Sequence, residues 1–144
     1  MTPTTSELLA GCAAALAAVP NAEDAGLFMA TRLRTVATIN VLVAQECATG
    51  SAVRVWENAA LRSLLGEAAA RYGEPYAEAG SIDDGDLSLT ALDDANARLR
   101  RLLIRLHEAA EAASDHKLDR MILALYREMA QRRELKLPGE KPAT

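Results

Sequence analysis

The stretch Ala91–Ala113, ALDDANARLRRLLIRLHEAAEAA, decides the fold class. Leu92, Ala95, Leu99, Leu102, Leu103, Leu106, Ala110 and Ala113 recur at three- and four-residue intervals, so a helix of about 3.6 residues per turn gathers them on one stripe and leaves Arg and Glu elsewhere. A helix with one apolar stripe must bury it against other helices. Upstream, Thr90-Ala91-Leu92-Asp93 resembles a capping box with Asp in place of Glu and predicts a start near residue 91. Downstream, Ser114 can cap a further helix carrying Leu118, Met121, Ile122, Leu125 and Met129 on one face, before Pro138 and Gly139 end the order and leave residues 138–144 as a frayed tail. An unbroken helix over 91–137 would be about 70 Å long, too long for one small domain, which favours a break near Ser114.

The rest of the chain has the same bias. Its 144 residues include 72 hydrophobic ones, of which 30 are Ala and 21 Leu, against 10 Val and Ile together. Strands draw on β-branched and aromatic residues, whereas Ala and Leu are the least costly to place in a helix. The expectation is therefore an all-α protein, a four- to five-helix, mostly up-and-down bundle in a single domain over 1–144 with an ordered core of about 6–137. Thr4-Thr5-Ser6-Glu7 caps a first helix over about 6–19, stopped by Pro20. Asn21 caps a second, predicted to reach Thr49, with Gly50 as its left-handed end. Ser51 caps a third, which runs to Tyr72 before Gly73. Residues 73–90 hold Pro75, Gly80, Gly85 and five acids and read as a long acidic loop, the first place to look for a lid or contact surface. Asn58–Leu65 matches Asn96–Leu103 at six of eight positions; two copies are too few for a repeat fold and the echo reads as chance.

A net charge of −4 excludes a general attraction to nucleic acid or to an anionic membrane. The longest charge-free stretch, Leu8 to Ala22, is shorter than the roughly 20 residues a membrane span needs. Leu9-Ala10-Gly11-Cys12 resembles a lipoprotein cleavage site, but Glu7 stands where the basic start of a secretory signal belongs, so the expected address is cytoplasmic. Cys12 and Cys47 lack the spacing of a disulfide framework or metal site.

Chemical signatures are sparse. The Glu-x-x-His pairs of a di-iron bundle are missing, because Ile104 and Ala113 precede His107 and His116 by three. His107-Glu108-Ala109-Ala110-Glu111 begins like a zinc-protease helix but carries Glu where the second His belongs. Asp83-Asp84-Gly85-Asp86 lacks the ligand alternation of a calcium loop. Neither a cofactor nor a metal-ligating set is expected, and an enzyme using His107, Glu108, Glu111 or His116 is the third and weakest reading. Arg98 and Arg105 have acids within helical reach in Asp94 and Glu108, which reads as a solvated face.

The second predicted helix is apolar over most of its girth. Met29, Leu33, Val36, Ala37, Val43, Ala44 and Cys47 form its expected core face, Phe28, Ile39, Val41 and Leu42 add apolar flanks, and Asn40 falls mid-face where its amide needs partners. Surplus apolar surface of this kind predicts a homodimer and an interaction or scaffold role. The alternative is a small-molecule-binding bundle in which Asn40, Trp56, Tyr72 and Tyr76 line an apolar pocket between helices two and three.

Overall fold

A computed structural model of the chain describes residues 5–17 and 26–137. These form four α-helices and a short 3-10 helix, with no strand among them: α1 (Thr5–Ala17), α2 (Leu27–Tyr72), the 3-10 turn (Tyr76–Ser81), α3 (Leu89–Ala112) and α4 (His116–Arg132). The protein is an all-α helical bundle, as its Ala- and Leu-rich composition requires. The expected Pro20 stop, the Asn21 cap and the 138–144 tail lie outside the described residues.

The largest departure from expectation is α2. The break expected at Gly50 does not occur, and the two helices expected on either side of it are one. Gly50 keeps a right-handed φ, whereas Gly26 and Gly73 take φ of +71° and +70°. A glycine inside a helix costs only about 1 kcal/mol relative to Ala, less than the backbone hydrogen bonds a break would sacrifice. At Gly73 the expectation holds: its N–H donates to Ala69 O at 2.8 Å and the helix ends there.

The chain divides into two compact units, residues 1–50 with 135–144 and residues 51–134, so α2 contributes its first half to one and its second half to the other. In the first unit, Ala10, Ala13, Ala14 and Ala17 of α1 face Arg34, Ala37, Thr38 and Val41 of α2 across a groove, and Glu7 and Ala10 face Val41 through Ala48, which makes the two helices antiparallel. Gln45 holds the returning chain with both ends of its amide, donating to Lys136 O at 2.8 Å and accepting from Lys136 N at 2.9 Å.

In the second unit, the expected long loop is largely structured. Tyr76, Ala79 and Ile82 are buried in the core, and the segment runs back along α2 until Asp84 reaches Asn58. Arg54 therefore meets Asp93, Asn58 meets Asn96 and Tyr72 meets Asp115: the second half of α2 and α3 run parallel, a crossover that departs from up-and-down alternation. α3 begins two residues earlier than expected because Ser88, not Thr90, is its N-cap, with Oγ accepting from Ala91 N at 3.4 Å. α4 folds back antiparallel. The break expected near Ser114 is present, but Ser114 itself takes φ of +52° and the cap is Asp115, whose Oδ1 accepts from Leu118 N at 3.2 Å.

Leu61, Leu65, Leu92, Leu99, Leu103, Leu106 and Ile122 are fully buried between these elements. The expected α3 stripe is buried from Leu92 to Ala110, with Ala113 exposed; on α4, Leu118, Ile122 and Met129 are buried, Leu125 half-buried and Met121 exposed. The echoed octapeptides lie side by side. Asn58 pairs with Asn96, and Leu61, Leu64 and Leu65 join Leu99, Leu102 and Leu103 in one core.

Candidate functional site

The first unit buries small side chains. Ala13, Ala30 and Ala37 are its buried apolar residues among those described, and no side chain larger than a methyl joins them. The cause is local: α1 offers α2 a row of alanines, so the helices approach through small residues and the larger side chains of α2 turn outward. This corrects the expected core face. Ala37 is buried and Leu33 and Ala44 are half-buried, but Met29, Val36, Val43 and Cys47 are exposed. Asn40, expected to be buried, is also only half-buried, so water can serve its amide.

The outward side chains form a pattern. Met29 (48% exposed), Val36 (45%) and Val43 (41%) are seven residues apart, and Ile39 (52%) lies three after Val36 and four before Val43. This is the heptad spacing of a helix seam. Phe28, also exposed, has Arg32 over its ring at 5.6 Å. From Leu27 to Thr49 the charged residues are Arg32, Arg34 and Glu46. α2 is long and apolar enough to cross a membrane by length and composition, with mean hydropathy 1.2 over its most apolar eighteen residues and 11% of that window buried; it comes closer to that test than the charge-free stretch in the sequence implied.

The proposed ligand residues fall in separate places. Asn40 belongs to the first unit; Trp56, Tyr72 and Tyr76 belong to the second. With one helix where two were expected, the pocket expected between helices two and three has no pair of walls. Trp56 and Tyr72 stand sixteen residues apart on that helix, about 24 Å along its axis. Trp56 is half-buried beneath the Arg132 guanidinium, 3.9 Å from its ring centroid. Tyr72 and Tyr76 do meet, edge to face with centroids 6.5 Å apart. Tyr72 Oη donates to Asp115 Oδ2 at 3.0 Å, and Arg71 pairs with the same oxygen. Desolvation, then the hydrogen bond to Asp115, pushes the Tyr72 phenol up, while the Leu118 amide holds the Asp115 carboxyl below its usual range. Beside them is an open groove of about 190 Å³ floored by Leu64, Ala68 and Leu118.

A buried polar chain went unforeseen. Glu57, Asn58 and Asn96 are enclosed in the second unit's core. Arg133 Nε and Nη2 donate to both Glu57 oxygens at 2.7 and 2.6 Å, and Nη2 also to Asn96 Oδ1 at 3.0 Å. Asn96 Nδ2 donates to Glu57 Oε2 at 3.0 Å and Asn58 Oδ1 at 2.9 Å. Asn58 Nδ2 continues to Asp84 Oδ1 at 2.8 Å and Leu92 O at 3.2 Å, and Arg62 closes on Asp84 Oδ2 at 2.6 Å. The Arg62 hydrogen bond, with Asn58 adding to it, holds the Asp84 carboxyl below its usual range. No buried side-chain polar atom among the described residues lacks a partner, so the chain locks helices together and offers no free group to a ligand. The signal available in the sequence was the shared Asn at the head of each echoed octapeptide.

The weak zinc-protease fragment also has neighbours. His107 Nε2 lies 2.9 Å from Asp119 Oδ1 and 3.8 Å from Glu111 Oε1, and its ring tilts against Tyr126 at 5.9 Å. Glu108 and His116 are exposed and stand outside this group. Arg98, Arg101 and Arg105 line a surface groove of about 170 Å³ with Ile82 and Glu78; the pairs expected with Asp94 and Glu108 are not formed. No protein-family model, curated protein or solved structure matches the chain.

Proposed function

We propose that this chain is a non-catalytic interaction protein that acts as a homodimer, with the Met29–Val36–Ile39–Val43 stripe of one copy covering the same stripe of a second. The observation that carries this reading is the heptad-spaced apolar stripe exposed on α2 of a unit whose buried apolar residues are alanines. Each buried methyl contributes about 0.8 kcal/mol, so the three enclosed alanines add little to the half-buried Leu9, Leu16, Leu33, Val41 and Leu42 in holding the helix pair. A second copy supplies the missing apolar partner. Val36 and Val43 share one heptad position, where β-branched residues pack well in two-stranded pairs. Asn40, half-buried beside Ile39, is placed to fix the register by pairing polar to polar at the edge of the seam.

A small-molecule ligand has less support, because Trp56 stands apart from the Tyr72–Tyr76 pair and the groove beside Tyr72 is open and small.

Sedimentation equilibrium of the full chain tests the proposal. Twice the 15.4 kDa chain mass at micromolar concentration is expected, falling to one chain mass in a Val36→Glu/Val43→Glu variant of unchanged helix content. A wild-type chain that sediments as a monomer overturns it, as does a monomer that partitions onto phosphatidylcholine vesicles through the same two valines.

A further inference from the structure

We infer that His107, Glu111 and Asp119 form a binding site for a divalent transition-metal ion of the zinc class. The three offer one imidazole nitrogen and two carboxylates from two helices, and their ligand atoms all lie within 4.8 Å of one another. His107 and Glu111 are four residues apart on α3 and so project from one face over a single turn, while Asp119 comes from the first turn of α4.

The separations fit an ion. Bonds of about 2.0–2.1 Å in a tetrahedral site place neighbouring donors roughly 3.3 Å apart. Here His107 Nε2 stands 2.9 Å from Asp119 and 3.8 Å from Glu111, which brackets that spacing. Two of the ligands are held by the fold. His107 and Asp119 are half-buried, the His107 ring rests on Tyr126, and the α3–α4 turn is fixed by the Asp115 cap and by hydrogen bonds from Ser114 N to Glu111 O and from Asp115 N to Ala110 O. Glu111 is exposed, with its side chain 66% accessible, so it can swing in over an ion that enters from solvent.

The donor set selects the class. Imidazole suits zinc, cobalt, nickel and copper, whereas calcium and magnesium prefer all-oxygen shells. Three protein ligands leave a fourth position for water. Without an ion, His107 Nε2 is hydrogen-bonded to Asp119 Oδ1 at 2.9 Å; with an ion on Nε2, Asp119 and the nearby Glu111, 3.8 Å away, both become ligands.

The competing account is that His107–Asp119 is a tether between α3 and α4 and nothing more. The untagged full chain titrated with Co²⁺, and then with Zn²⁺ in competition, separates the two. A single site with visible ligand-field absorption, displaced by Zn²⁺, is expected. Replacing a ligand should weaken the site by about tenfold or more, at least the effect typical of outer-shell partners. His107→Gln and Asp119→Asn test the two held ligands. Glu111→Gln tests the third at an exposed position whose replacement leaves the core untouched, and His116→Ala should bind as the wild type does. Absence of saturable binding, or equal binding by wild type and Glu111→Gln together with His107→Gln, overturns the site and leaves the tether.

Discussion

The two units of this protein are built from the same alphabet and finish differently. Residues 51–134 enclose seven fully buried Leu and Ile side chains and satisfy every buried polar side-chain atom, whereas residues 5–17 and 26–50 bury methyl groups and turn Met29, Val36, Ile39 and Val43 outward. The difference lies in the residues each helix meets. Leucines of α2 meet leucines of α3 and α4 in the second unit; alanines of α1 meet α2 in the first. Leucine gives a core enough volume to close on itself, and alanine brings helices near without filling the space around them. The second unit thus closes on its own side chains, and the first leaves apolar side chains of α2 in solvent.

The sharpest way to break that comparison is at Glu57. Arg133→Met leaves a fully enclosed carboxylate without its guanidinium, and the second unit should lose about 3–5 kcal/mol, read by chemical denaturation followed at Trp56. A loss below about 1 kcal/mol would show that the polar chain is ornamental. Next comes a pair of truncations. Leu103→Ala should cost about 2–5 kcal/mol, whereas Val36→Ala on the exposed stripe should change monomer stability by less than about 0.5 kcal/mol and weaken only self-association. Equal costs would mean that the first unit has a core after all.

Two glycines give a smaller contrast of opposite sign. At Gly73, with φ of +70°, Ala should destabilise by about 1 kcal/mol; at Gly50, inside α2, Ala should stabilise by about 0.5–1 kcal/mol. The added Cβ at Gly50 meets only the far end of the Glu46 side chain, at 3.0 Å, which can swing aside. Thermal melts of both variants read the two opposite signs. The smallest effect is acidic. Asp84 releases its proton more readily in the folded chain than in the unfolded one, so its contribution is complete above about pH 5 and is lost as pH falls through about 4 toward its lower folded value. Asp84→Asn should remove that part of the acid sensitivity in denaturation curves taken across the range.

Much of the second unit was legible from spacing alone. The α3 stripe, the break after it, the Gly73 stop and the α4 face all follow from helical periodicity and turn chemistry, which are local. Gly50 misled because a glycine's left-handed freedom is an option that the surrounding helix can decline. Asn96 was hidden within a leucine stripe, and its role depends on Asn58, Glu57 and Arg133, up to 39 residues away along the chain. The inward face of α2 was misread for a similar reason. Met29, Val36 and Val43 are more hydrophobic than Ala30 and Ala37, but the alanines of α1 select what fits beside them, and size outweighed hydrophobicity. Asn40 shared that error, and Tyr72 meets Tyr76 because a short turn joins them.

The Glu57–Arg133 pair also bears on how the chain is made. The two residues are 76 positions apart, near opposite ends of the second unit's sequence. During synthesis, at roughly 5–20 residues per second, the carboxylate emerges several seconds before the cation that neutralises it. A core that closes before Arg133 is made would carry an enclosed Glu57 carboxylate without its guanidinium, at a cost of about 3–5 kcal/mol.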